Sequence, residues 1–449
     1  MTDSPKRYES WGRYPVAKPA RVVVLQSRED NGWRDDALSV LPFGQGRSYG
    51  DTCLNNGATL LDTAPLAGVM DFDKQQGVLR CEAGATLADI LTLIVPHNWF
   101  LPVTPGTKQV SIGGAIAHDV HGKNHHRAGT FGRYVKRFEL VRSSGERLIC
   151  SAQENAELFS ATIAGMGLTG LITWAEFELK RIPGPAIAVK RIPFGSLDEF
   201  LAVATTSDRD FEYTVAWVDS GFRSSHFCRG VMLCGNSVEA PRGGLRNRTS
   251  RRTHRLPVSV PHLLLNRPAI RAMNSMYYQL ESRRAKTEVI DFDPFFYPLD
   301  AVSNWNKIYG SSGFLQYQCV VPYAEREAVQ EIFRRIARSG LAAVLTVLKV
   351  FGDLTSPGML SFPRAGITVA IDFPFRGADT LRLLDELDEI VRAAQGAVYP
   401  AKDARMSAEA FQDYFPNWES FARFVDPKFS SSFWRRVTQR KQSSPANYS

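Results

Sequence analysis

The sequence has few cysteines and no pairing pattern among them. Cys53, Cys81, Cys150, Cys228, Cys234 and Cys319 lie far apart, with no C-x-x-C pair. That excludes a disulfide framework and a small zinc module, and fits a reducing compartment. No stretch approaches the apolar length of a membrane-spanning helix, and the opening MTDSPKRYESWGRYPVAKPA has no signal-peptide core. The expectation is a protein made and kept in the cytoplasm. Internal repeats, low-complexity tracts and a Walker A sequence are missing too. The segment Gly44-Gln45-Gly46-Arg47-Ser48-Tyr49-Gly50 is G-x-G-x-x-x-G with no helical pattern behind it, so it is not a Rossmann fingerprint. It is either an anion nest made of backbone N–H groups or a plain tight turn.

What is abundant is glycine around Pro102–Gly132, PVTPGTKQVSIGGAIAHDVHGKNHHRAGTFG. Gly106, Gly113, Gly114, Gly122, Gly129 and Gly132 share this stretch with His121, Lys123, Asn124, His125 and His126. Glycine serves where a backbone must approach something closely. The interleaved Val110, Ile112, Ala115, Ile116, Ala117 and Val120 read as buried, so the stretch wraps a ligand better than it makes a solvated loop. A third cluster, Gly165, Gly167 and Gly170, also adjoins a strand end. Three such clusters call for a long ligand threading between them. His121 and His125 have i, i+4 spacing, but Gly122 argues against the helix a metal pair needs, so no metal is expected.

The 449 residues, 44% apolar and 22% charged, suit two or three globular domains. The net charge of +8 points to an anionic partner. Short strands at Arg21 to Leu25, Ser39 to Phe43, Thr59 to Leu61, Val69 to Phe72 and Val78 to Glu82 precede a helix capped by Thr86. Ser143-Ser144-Gly145 marks a hairpin, Asn155 to Ile163 a helix and Leu171 to Leu179 a strand. This is an α+β domain over 1–183, not a doubly wound sheet. A second α+β domain, 184–396, has strands at Phe211 to Val218, Phe227 to Leu233, Phe314 to Val321, Ala343 to Phe351 and Gly366 to Phe373. Amphipathic helices at Glu325 to Ser339 and Thr380 to Gln395 cover one face of its antiparallel sheet. An aromatic-rich segment, 397–449, closes the chain.

GQGRSYGD at 44–51, the 102–132 stretch and AGMGLTGLI at 164–172 together resemble the flavin-binding domain of the vanillyl-alcohol oxidase and p-cresol methylhydroxylase (PCMH) superfamily. YTVAWVD at 213–219, FLQYQCVVP at 314–322, LTVLKVFG at 345–352, ITVAIDFP at 367–374 and YPAKDAR at 399–405 extend the resemblance to its decaprenylphosphoryl-β-D-ribose 2-oxidase branch, across nearly the whole chain. The resemblance implies a two-lobed FAD domain at 1–183, a substrate (cap) domain over the flavin, and a C-terminal segment returning to the first domain. It puts Gly44, Gln45, Gly46, Arg47, Ser48, Tyr49, Gly106, Thr107, Gly113 and Gly114 at the pyrophosphate. Ala117, His118, Gly122 and Asn124 would lie along the flavin, and Gly170 and Ile172 near the adenosine half. Many relatives hold FAD covalently through a histidine in the first glycine loop. That position is Arg47 here, which implies non-covalent FAD.

For catalysis the resemblance implies Lys402, Lys349 and His121. By local sequence alone Lys402 is a surface lysine; the resemblance places it at the flavin–substrate junction. Lys349 sits mid-strand between apolar neighbours, either paired or functional. His121 is either a satisfied core histidine or a flavin or substrate contact. Tyr49, His121, Lys123, Trp217, Gln316, Gln318 and Lys349 match the pocket of the branch. Trp217 also reads as core, and Gln316 and Gln318 as one face of an exposed strand. Ala370 stands where the branch pattern has a cysteine, and Thr368 where it has asparagine.

The segment from Arg242 to Lys286 carries eleven Lys or Arg and one acid, Glu281. It is either a solvated loop or a membrane-facing lid, with Val258 to Leu265 dipping into lipid. Nucleic acid is not expected, since no stacking pattern or recognition motif accompanies the charge. The function implied is oxidation of the ribose 2-hydroxyl of a polyprenyl-phosphoryl ribose, with a short-chain dehydrogenase partner reducing the keto sugar and the enzyme peripheral at the inner membrane face. The alternatives are an aldonolactone or alditol oxidase, and a non-catalytic flavin- or lipid-phosphate-binding partner.

Overall fold

The computed structural model describes residues 8–219, 228–241, 254–255, 267–284, 287–341 and 345–438. The apolar run proposed as a lid, Val258 to Leu265, lies outside the described residues. The molecule mixes helix and sheet, as an α+β chain does.

Three sheets frame the site. Arg21–Val24, Thr59–Asp62 and Val40–Phe43 form a small parallel sheet. Val69–Asp73, Val78–Glu82, Leu171–Glu178, Val135–Val141 and Arg147–Ser151 form a five-stranded antiparallel sheet. The helix Leu87–Ile94 opens on a full capping box, Thr86 accepting from Asp89 N while the Asp89 carboxylate accepts from Thr86 N. Glycine would normally weaken a helix, yet Gly113 and Gly114 lie inside Ile112–Ala117. Ser111 caps that turn, and Gly113 N donates to Ala83 O at 2.7 Å, so the turn is seated against the neighbouring loop.

The third sheet has eight antiparallel strands, in the order Glu288–Asp291, Ala186–Phe194, Gly230–Val238, Tyr213–Val218, Thr346–Phe351, Gly366–Pro374, Phe314–Val321 and Ala397–Val398. Strand alternation splits its side chains between two environments. Ala216, Val218, Leu348, Val350, Tyr317, Cys319, Val369 and Ile371 enter a core shared with the helices Leu197–Asp210, Arg326–Ser339 and Ala378–Ala393. Val215, Trp217, Val347, Lys349, Gln316, Gln318 and Ala370 line a cavity on the other face.

The expectation of helices on one face needs correction. The helix Arg267–Arg283 lies on the cavity side, held by Arg191 Nε donating to Glu281 at 2.6 Å and by Tyr277 against Trp217 at 4.7 Å. Much of the basic 242–286 segment is therefore not loop. Its helix is recruited by a buried ion pair with the sheet, which no local pattern announces.

The C-terminal helices run back across the first strands. Phe429 bridges Val40, and the Arg436 guanidinium spans Asp51 and Asp403 at 2.6 and 3.0 Å. The Gly50 backbone packs directly on this segment, where a Cβ would sit 1.6 Å from Asp403 O. Gly50→Ala is thus expected to lower stability by about 3 kcal/mol, at the upper end of overpacking costs. A urea unfolding midpoint equal to wild type would show that the segment yields without cost.

Candidate active site

The cavity between the glycine loops and the eight-stranded sheet has a volume of about 2660 Å³. That exceeds the roughly 300–1,000 Å³ of an ordinary small-molecule site, leaving room for a long cofactor beside a second ligand. One wall is the 44–49 loop, with Gly46 at φ +60°, a conformation that favours glycine. Gly44 abuts Ser111, since a Cβ would fall 2.4 Å from Ser111 Oγ. At Gly106 a Cβ would meet nothing within 4 Å, so a bare backbone faces the cavity there. Gly113, Gly114, Thr107, Ala117, Gly122, Gly170 and Ile172 complete the lining on this side. A cavity wall edged by glycine backbone fits FAD, whose pyrophosphate needs N–H donors at close approach.

His118 and His121 follow the glycine turn. Ser48 Oγ lies 3.1 Å from His118 Nε2, and Tyr399 OH donates to His118 O at 2.8 Å. Burial holds the His118 imidazole neutral, at about 4. The His121 ring lies between Phe351 and Tyr399, at 4.9 and 5.2 Å. Burial and then the Lys349 ammonium keep it neutral as well. The Gln318 amide nitrogen donates to His121 Nε2 at 2.8 Å. The ring proton is therefore on Nδ1, which is buried with no partner.

Lys123, Lys349 and Lys402 all line the cavity. Lys402 Nζ sits 3.6 Å from the Tyr49 ring centroid, a cation–π contact. Burial pulls it to about 7, with Asp372 acting in the opposite sense. Lys349 is also pulled to about 7, by burial and then by the charges of Lys123 and Lys402. Lys123 falls to about 8 by burial, and donates to Phe296 O at 3.4 Å. Among the described residues none of the three amines has a carboxylate within 4.0 Å.

Asp372 was not foreseen. It lies opposite Gln316 in the sheet register, and the Gln316 amide donates to it at 2.5 Å. Tyr309 OH donates at 3.4 Å, and burial raises the carboxyl to about 6. Alternation alone pointed to it, since it shares a face with Thr368 and Ala370. Tyr399 was likewise missed, though it stacks on Phe362 and touches His121.

The structure brings all but one of the predicted site residues to this cavity, including Gln45, Trp217, Gln316 and Gln318. Asn124 is the exception. It is buried and donates to Pro102 O at 2.8 Å, fixing the turn behind the lining. Among the described residues no cluster of three or more His, Cys, Asp or Glu is arranged to hold a metal ion.

Comparison with known proteins agrees with this geometry. Residues 33–151 match the family described as FAD binding domain. A decaprenylphosphoryl-β-D-ribose oxidase from Mycolicibacterium smegmatis is 34% identical over 96% of this chain and 97% of its own length. An uncharacterized protein of Streptomyces coelicolor is 32% identical over 78% of this chain. A D-lactate dehydrogenase from Anaerostipes hadrus is 23% identical over 42% of it. With FAD as its cofactor and an oxidoreductase site built around it, this chain belongs to the decaprenylphosphoryl-β-D-ribose oxidase branch of the PCMH-type FAD-binding superfamily.

Proposed function

We propose that the enzyme oxidises the ribose 2-hydroxyl of a polyprenyl-phosphoryl-β-D-ribose to the 2-keto sugar. The observation that carries this reading is three lysine side chains converging on one cavity without carboxylate partners. Such a site attracts an anionic, hydroxyl-bearing ligand and can divide its amines between charged and neutral roles.

The glycine-edged wall holds FAD without a covalent bond, since Arg47 offers no attachment chemistry. Lys402, on Tyr49 and near Asp372, stays the cation and stabilises negative charge developing in the transition state. Lys349 faces the charges of Lys123 and Lys402 where Lys402 faces Asp372, and it is assigned as the base. Lys349 Nζ would take the hydroxyl proton as C–O becomes C=O, and FAD, held by the 44–49 loop and the Gly106, Gly113 and Gly114 backbone, would supply the two-electron oxidation by accepting the carbon-bound hydrogen as hydride. His121 donates from Nδ1 to a sugar oxygen, its orientation fixed by Gln318. Trp217 and Gln316 shape the sugar pocket, and Ala370 lines it where the branch pattern has a cysteine. A separate short-chain dehydrogenase reduces the keto sugar and completes epimerisation to the arabinose donor.

The reaction is tested by supplying farnesylphosphoryl-ribose deuterated at C2. The reading requires a product two hydrogens lighter than unlabelled substrate and free of the label. Retained deuterium would place the chemistry at another carbon.

A lipid substrate brings the enzyme to a membrane surface. Among the described residues no helix is long and apolar enough to cross a membrane. The helix Arg267–Arg283 supports surface binding instead. Met273, Met276 and Leu280 are 46%, 60% and 51% exposed, at i, i+3 and i+7 spacing, beside Arg283 and Arg284. Met276→Asp with Leu280→Asp is expected to weaken sedimentation with phosphatidylglycerol vesicles by about 10-fold or more. Unchanged sedimentation would remove this helix from the membrane contact.

A further inference from the structure

Arg47 is a charged side chain in the cavity wall that the proposed chemistry leaves unused. Its guanidinium lies 4.2 Å from the Trp11 ring centroid, and Trp11 packs edge-on against Trp305. Arg47 Nε is buried with no hydrogen-bond partner, and among the described residues Arg47 forms no ion pair. The nearby acid, Asp300, already accepts from Thr107 Oγ1 at 2.7 Å and from Lys108 N at 2.9 Å. A guanidinium held in a cavity without an anion is costly unless a ligand supplies one.

The loop's alternation says which ligand. Ser48 turns toward His118, on the wall edged by glycine. Arg47 and Tyr49 turn the other way, toward Trp11 and Phe314. The N-terminal arm fixes this arrangement, with Trp11 N donating to Ser48 O at 2.8 Å and Gly12 N to Tyr49 O at 3.2 Å. Tyr49 carries Lys402 on its ring, so Arg47 lies one step beyond the reaction centre, away from the glycine wall.

We propose that Arg47, stacked on Trp11, binds the phosphate of the lipid-phosphate substrate and not the pyrophosphate of the cofactor. This refines the reading of the substrate given above and rests on it. A guanidinium presents a planar fork to phosphate oxygens, and stacking on Trp11 fixes that plane. The sugar would then reach inward to Lys349 and Lys402, with the prenyl chain leading out of the cavity.

The test uses farnesyl phosphate, which has no sugar to oxidise, titrated into the FAD-loaded enzyme while the flavin's visible spectrum is followed. Wild type is expected to bind it, Arg47→Gln to bind it about 10- to 100-fold more weakly, and Arg47→Lys to fall between. The flavin-to-protein ratio of Arg47→Gln should equal that of wild type. Loss of FAD from this variant would assign Arg47 to the cofactor and overturn the proposal. So would equal farnesyl phosphate affinity in wild type and Arg47→Gln, or no binding to wild type. Because no sugar is present, the result stands apart from the sugar-oxidation reading. Farnesyl phosphate bound through Arg47 by an enzyme that leaves farnesylphosphoryl-ribose unoxidised would keep the phosphate site and reject the reaction.

Discussion

With Lys402 replaced by methionine, flavin reduction by farnesylphosphoryl-ribose is expected to slow by about a thousand-fold, the size of losing one preorganised charge. Methionine keeps the length and packing of the side chain and removes only the ammonium. The structure gives that ammonium an aromatic seat, 3.6 Å from the Tyr49 centroid, and a buried carboxylate in its field. A charge held this way needs no reorganisation as negative charge develops beside it. The rate is read from the decay of flavin absorbance in a single anaerobic turnover. A rate within about threefold of wild type would remove Lys402 from the chemistry, since removing one preorganised charge costs at least 10²-fold.

The second large effect is the pH dependence set by Lys349. A base must be neutral to accept a proton. Its amine is pulled from 10.5 to about 7 by burial and by the neighbouring Lys123 and Lys402 charges, so it is neutral above about 7. The rate of flavin reduction should therefore rise as pH increases through this region. Lys402 must keep its proton, and Asp372 favours that charged form. The rate should fall again once Lys402 deprotonates. The two amines interact, so the resulting bell belongs to the pair, and not to either residue alone. Lys349→Arg places a permanent cation at the base position. It should lower the rate by about 10²- to 10⁴-fold and abolish the rising limb. A wild-type rate that declines monotonically from pH 6 upward would mean that Lys349 acts as a cation and that the base lies elsewhere.

How much of this site could be read from the sequence depends on how local each signal is. The Thr86 cap is a four-residue pattern, and it stands in the structure with the Asp89 half of the box. Lys349, Gln316, Gln318 and Trp217 lie in strands read correctly from β-branched and apolar runs. Strand period then fixes which of their neighbours share a face. What a strand pattern does not contain is the identity of the surface that face meets. The same alternation describes a solvated sheet, and only the glycine loops opposite make it a cavity. Asp372 became visible through pairing with Gln316 across two strands far apart in the chain.

Two misreadings have the same origin. Asn124 stands in a motif whose neighbours line the cavity, but its amide satisfies a backbone carbonyl that a glycine-rich turn leaves open. The helix Arg267–Arg283 carries Met273, Met276 and Leu280 outward and anchors through Glu281 to Arg191. Its basic composition was plain, but the buried partner that orders it sits on a strand some ninety residues earlier. Ile112–Ala117 shows the converse, where propensity opposes a helix and close contact with Ala83 and Ala85 imposes one.

Oxidation of a lipid-phosphate sugar in this cavity is tested by mixing the FAD-loaded enzyme anaerobically with farnesylphosphoryl-ribose and recording the flavin's visible absorbance. Rapid bleaching is expected with this substrate and none with galactonolactone or xylitol. Bleaching by the free sugars, with farnesylphosphoryl-ribose inert, would contradict it and assign the enzyme a soluble substrate.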